Sequence, residues 1–135
     1  MDLRKLHNSL KDKLSQILEV WEWDTTQFSI LPEDNSKGYL QISEMRPGPV
    51  YKTTWMVGIA VASTDWDDLW DQVYNKLEKI NSQLVHPPPC IEPGGNLKLE
   101  SSIEVEVPGS YSNSTGISNS DGWKTAITFA LSLSG

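Results

Sequence analysis

At 135 residues the chain has room for one hydrophobic core, and its 38% hydrophobic and 21% charged side chains describe a folded protein rather than a disordered one. Eleven basic against 18 acidic residues leave a net charge of −7, which opposes a surface that coats nucleic acid or an anionic membrane, because both need cations. No apolar run nears the roughly 20 residues of a membrane-spanning helix, and residues 1–7 lack the apolar segment of a signal peptide. Cys90, the single cysteine, excludes an intrachain disulfide and metal sites built on cysteine pairs.

The first element is helical. Leu3, Leu6, Leu10, Leu14, Ile17, Leu18 and Trp21 recur at intervals of three and four, predicting an amphipathic helix over residues 2–20. That segment holds four basic and three acidic residues, so the rest of the chain carries seven basic against 15 acidic. Phe28 to Leu31 predicts a short edge strand. Tyr39–Ser43 reads as a brief strand, and the alternation of Tyr51, Thr53, Trp55, Val57, Ile59 and Val61 as a longer one.

A second helix follows. Ser63, Thr64 and Asp65 are candidate N-caps, and Asp67 and Asp68 sit where the helix dipole favours anions. Trp66, Leu69, Trp70, Val73, Leu77, Ile80 and Leu84 make its apolar stripe, and Pro87–Pro89 stop it. Two more strands alternate through Leu97, Leu99, Ile103, Val105 and Val107, and through Trp123, Thr125, Ile127, Phe129, Leu131 and Leu133. One polar face and one apolar face predict an α+β domain over residues 1–135: a mainly antiparallel sheet packed on one face by two amphipathic helices. Between the last strands, residues 108–122 are mostly Ser, Asn and Gly, far more than a hairpin needs, and read as a loop with Tyr111 and Ile117 as its large apolar side chains.

Patterns of catalysis are weak. Asp67-Asp68-Leu69-Trp70-Asp71 matches a D-D-x-x-D magnesium motif, but dipole compensation on a solvated helix start explains the same residues. His7 and His86 lie far apart in sequence, Cys90 sits among prolines without a basic neighbour, and Gly94-Gly95 precedes a strand rather than a helix. Asn113-Ser114-Thr115 is a formal glycosylation acceptor that reads as loop chemistry. The six tryptophans suggest carbohydrate stacking, yet Trp55, Trp66, Trp70 and Trp123 fall on the phase expected to be buried. Trp21 and Trp23 sit where the helical phase is lost and read as core, a subunit contact or a ligand platform, the first two favoured. The expectation is a protein that is not an enzyme and holds no cofactor or metal.

The stretch Tyr51–Val61 running into Asp65–Tyr74 joins a long strand of alternating aromatic and aliphatic residues to an acid-capped helix. With an amphipathic helix before it and two long strands after it, the chain resembles, in element order over its whole length, the tail terminator proteins of long-tailed bacteriophages, such as the lambda-type minor tail protein. The resemblance implies a structural virion protein of the tail or neck, assembled in the host cytoplasm. It implies a homohexameric ring that caps the tail tube, stops its polymerisation and joins tail to head. Its implied partners are further copies of itself, the tube protein, the head-tail connector or neck protein, and the sheath as a further neighbour. DNA would pass through without specific binding, and no membrane is involved. On that reading Arg4, Lys11, Lys13, Trp23, Tyr111 and Ile117 are expected at subunit or tube contacts, and Glu100, Glu104 and Glu106 are expected to face an acidic lumen. The alternatives are a head-closure or neck ring protein and, from another class, a small aromatic-rich binding module or hydrolase.

Overall fold

Asp2 opens the first helix by accepting, through Oδ1, hydrogen bonds from the amides of Arg4 at 3.1 Å and Lys5 at 3.2 Å. In the computed structural model, which describes residues 2–24, 37–48, 52–85, 88–91, 95–113 and 120–134, this helix (α1) spans Leu3–Leu18. It buries Leu6, Leu10, Leu14, Ile17 and Leu18, as its periodicity predicts. Glu19 ends it in the left-handed conformation at φ 55°. The segment with Phe28–Leu31 and His86 lie outside the described residues.

The strands are β1 (Glu22–Asp24), β2 (Lys37–Arg46), β3 (Lys52–Ser63), β4 (Cys90–Ile91), β5 (Gly95–Leu99), β6 (Glu104–Val105), β7 (Gly109–Asn113) and β8 (Ser120–Ser134). They form one sheet of order β1-β2-β3-β8-β5-β4, with β6 and β7 also on β8. Among the described residues only β1 and β2 run parallel, and every other pairing is antiparallel. The second helix, α2 (Trp66–Lys79), continues into a π-helical turn over Ile80–Val85 that buries Ile80 and Leu84.

The apolar face of β3 and β8 carries Trp55, Val57, Ile59, Val61, Ile127, Phe129, Leu131 and Leu133, all buried in one cluster with the inner faces of both helices. That is the α+β arrangement expected. The opposite face holds Thr54, Met56, Thr128, Ser132 and the small residues Gly58, Ala60, Ala62, Ala126 and Ala130, with the Tyr39 ring lying over Gly58.

Three expectations need correction. First, the strand expected across residues 97–107 is broken. Leu99 pairs with Leu131 and Glu104 with Thr128, so five steps on one side span three on β8, and a further irregularity separates β6 from β7. Ser101 fills the first break: its Oγ accepts from the Ala130 amide at 2.8 Å, a bond the displaced backbone does not make. Second, residues 108–122 are not a loop throughout. Gly109–Asn113 pairs with Ser120–Lys124 as a hairpin, because backbone pairing on β8 needs no apolar alternation. Third, Trp66 and Trp123 are 42% and 36% exposed rather than buried, and only Trp55 is fully enclosed. Their phase is correct, but Trp123 pairs with the last residue of β3 and Trp66 is the first residue of α2, so both project at the end of the layer.

The helices meet at a buried cation. Lys76 of α2 donates from Nζ to the Leu18 carbonyl at 2.7 Å, where the C-terminal end of α1 favours positive charge. Burial pushes its pKa down, against the pull of Glu19. Beside it, Lys79 and Glu19 form an ion pair at 2.7 Å. Replacing Lys76 by Met keeps the volume but removes the donor. The loss of a charge-assisted hydrogen bond, partly offset by relief of desolvation, should lower stability by about 1–2 kcal/mol in urea unfolding.

Candidate assembly surfaces

One flank of α1 is basic. Arg4, His7 and Lys11, spaced by three and four, line up beside a groove of about 390 Å³ whose walls are Leu3, Arg4, His7, Leu40, Gln41, Ile42 and Trp55. The His7 imidazole lies parallel to the Trp55 ring, with centroids 5.7 Å apart at 6°. Neither Arg4 nor Lys11 forms an ion pair among the described residues. Lys13 does not join them. Two residues beyond Lys11, it sits about 200° further round the helix.

Trp23 turns inward on its own chain. Its indole N–H donates to Ser15 Oγ at 2.7 Å, and a Cβ added at Gly38 would stand 2.9 Å from its ring, so the close approach needs glycine there. Trp21, by contrast, is 78% exposed. Of the two tryptophans at the helix end, Trp21 is the one available to a partner.

The start of α2 presents the second surface. Asp65 caps the helix by accepting from the Asp67 amide at 3.0 Å, and Asp68 accepts from Ser63 Oγ at 2.7 Å and Gln72 Nε2 at 2.8 Å. Those two hydrogen bonds hold the Asp68 carboxyl below its usual range. The second carboxylate of the D-D-x-x-D pattern is therefore taken up by two side-chain hydrogen bonds. Alongside runs a chain of rings: Trp123 to Trp66 at 4.7 Å, Trp66 to Trp70 at 5.9 Å and Trp70 to Tyr74 at 5.6 Å. Tyr74 is 57% exposed. Asp67, Asp71 and Glu78, all exposed, follow on the next strip of the helix surface. This aromatic row was missed because each tryptophan, taken alone, fits a core position. The signal was its width: Trp66, Trp70 and Tyr74 form a second stripe beside Leu69 and Val73, more than one buried face can absorb.

The register of β8 sets Glu100, Glu104 and Glu106 on the face away from the helices, opposite Ala130, Thr128 and Ala126. Glu100 is partnered: it accepts from Ser132 Oγ at 2.7 Å and pairs with Lys52 at 3.0 Å, which together lower its pKa. Glu104 and Glu106 are exposed. Tyr111 lies in β7 opposite Gly122, next to the hairpin end, while Ile117 falls outside the described residues.

The groove should report on pH. Burial first, then the charges of Lys11 and Arg4, hold the His7 pKa below 6.5. The unfolded chain therefore binds a proton before the folded one does, so stability is full above 6.5 and falls as pH drops through that value. The melting temperature should drop between about pH 7.5 and pH 5.5, and His7→Gln should flatten that part of the profile. Equal slopes in both proteins would show that other groups govern it.

No family model matches the chain, and no curated protein matches it either. Among solved structures it is similar to a chain of the virion of a native gene transfer agent particle, at 8% identity and a TM-score of 0.40, over 96% of this chain and 95% of that one. Similarity at that level does not assign a role.

Proposed function

We propose that the chain is a structural virion protein, a tail terminator whose copies form a ring on the end of the tail tube, halt its growth and present a docking face for the head. The observation that carries this reading is the separation of charge on one small domain. Arg4 and Lys11 have no ion-pair partner among the described residues on one flank of α1, while Asp67, Asp71 and Glu78 stand exposed along α2. A domain with two unlike charged surfaces is suited to head-to-tail contact between copies, and a head-to-tail contact closes a ring when its rotation permits.

Other features support it. A net charge of −7, with Glu104 and Glu106 on the uncovered face of the sheet, suits a surface past which DNA moves without sticking. The β7–β8 hairpin extends from the domain at the end where α2 begins, since Trp123 pairs both Ser110 and the last residue of β3. An element so placed can reach a neighbour or the tube end.

The test is negative-stain microscopy of the protein alone and mixed with tail tubes. Rings on tube ends and an arrest of tube growth are expected; tubes that elongate unchanged in excess protein would remove the terminator reading. A shortened variant isolates the hairpin. Replacing residues 114–119 by Asn-Gly would close β7 onto β8 with a two-residue turn between Asn113 and Ser120. Its melting behaviour should stay unchanged while tube capping is lost, and a shortened protein that still completes infectious tails would make residues 114–119 dispensable.

A further inference from the structure

The apolar parts of the two charged surfaces fit one another. On one surface, Trp66, Trp123 and Tyr74 expose 42%, 36% and 57% of their area in a connected row with Trp70. Large aromatic side chains exposed together mark a contact site, and tryptophan and tyrosine are the residues that most often dominate binding energy. On the other, the groove between α1 and β2 is apolar, and Leu3, Ile42 and Met45 at or near its mouth are each more than a third exposed. The charges beside them are opposite in sign: Asp67, Asp71 and Glu78 beside the aromatic row, Arg4 on the groove wall with Lys11 one turn beyond the wall residue His7 on the same flank of α1.

We infer that the aromatic row at the start of α2 of one copy docks into the α1–β2 groove of a second copy, with the acidic rim of the first against the basic rim of the next. Three considerations favour this occupant. Rim charges of opposite sign attract across such a contact and steer it, whereas row against row or groove against groove would oppose like charges. A copy cannot satisfy itself, since the row begins where β3 ends at Ser63 and the groove lies at Trp55, roughly 25 Å back along the strand. The contact is heterologous, so each copy offers one row and one groove and the assembly can propagate and close. The inference deepens the ring reading above and rests on it only in taking the partner to be another copy of this chain.

The test uses two charge-reversed proteins and their mixture. Arg4→Asp with Lys11→Asp makes the groove rim acidic; Asp71→Lys with Glu78→Lys makes the row's rim basic. Arg4, Asp71 and Glu78 are exposed and Lys11 is half-buried, and Asp71 and Glu78 lie beyond the first turn of α2, so its N-cap is untouched. Each variant alone presents like charges at every contact and should associate at least about tenfold more weakly than the native protein in sedimentation velocity at low salt. Mixed in equal amounts, the two present opposite charges at both kinds of contact, and assembly should recover to within about threefold of native. Trp66→Ala should weaken native association by about tenfold or more without a matching drop in melting temperature. Native-like assembly of either variant alone, or a mixture that fails to recover, overturns the contact. If the native protein stays monomeric at its highest soluble concentration yet caps tubes, the contact falls and the terminator reading stands. Rings that form unaffected by all three changes separate the two in the same way.

Discussion

Every one of the twelve residues of β3 pairs with β8, and the rest of the domain hangs on that ladder. β2 attaches to its one side, and β5, β6 and β7 attach in turn to the free side of β8. The register is held by two matching alternations, Thr53 to Val61 on β3 against Leu133 to Thr125 on β8. A slip of one residue would turn all of these side chains to the uncovered face, so the apolar pattern of both strands enforces the pairing. The same register decides what lies at the ladder's end. Ser63 meets Trp123, the chain turns into α2 there, and the row of rings follows from that meeting.

α1 is tied to this frame by polar contacts as well as by its leucines. Near its start His7 lies on Trp55; along its length Ser15 accepts from Trp23; at its end the Leu18 carbonyl takes the Lys76 ammonium. Burying an ammonium is unfavourable unless its hydrogen bonds are met, so this junction tolerates little displacement of one helix against the other. Held at these points, α1 keeps Arg4 and Lys11 on the flank where the groove opens.

Both helices, the one-sided sheet and most of the core were legible from periodicity. Leu6, Leu10 and Leu14 on α1, and the alternation through Ile127, Phe129 and Leu131, could serve no other pattern. What escaped were features that depend on position within the layer rather than on phase. Trp66 and Trp123 have core phase and end-of-layer positions, and β7 pairs through backbone groups that composition does not reveal. The breaks around Ser101 and Glu106 hide inside an uninterrupted alternation, because a bulge displaces the register without changing which residues are apolar. The basic residues of α1 were visible as a group, but only the helix geometry divides Lys13 from Arg4 and Lys11.

The ends of the sheet have their own consequence. Among the described residues the sheet ends in β1, three residues long, and β4, two, and β7 is separated from β5 by two interruptions. Open strands of that length give a poor template for another chain's backbone, which is how many β proteins avoid stacking edge to edge into fibres. Copies of this domain brought together at high local concentration are thereby discouraged from unlimited backbone zippering. A contact between copies would then have to be made by side-chain surfaces, whose fixed geometry limits how many copies can join.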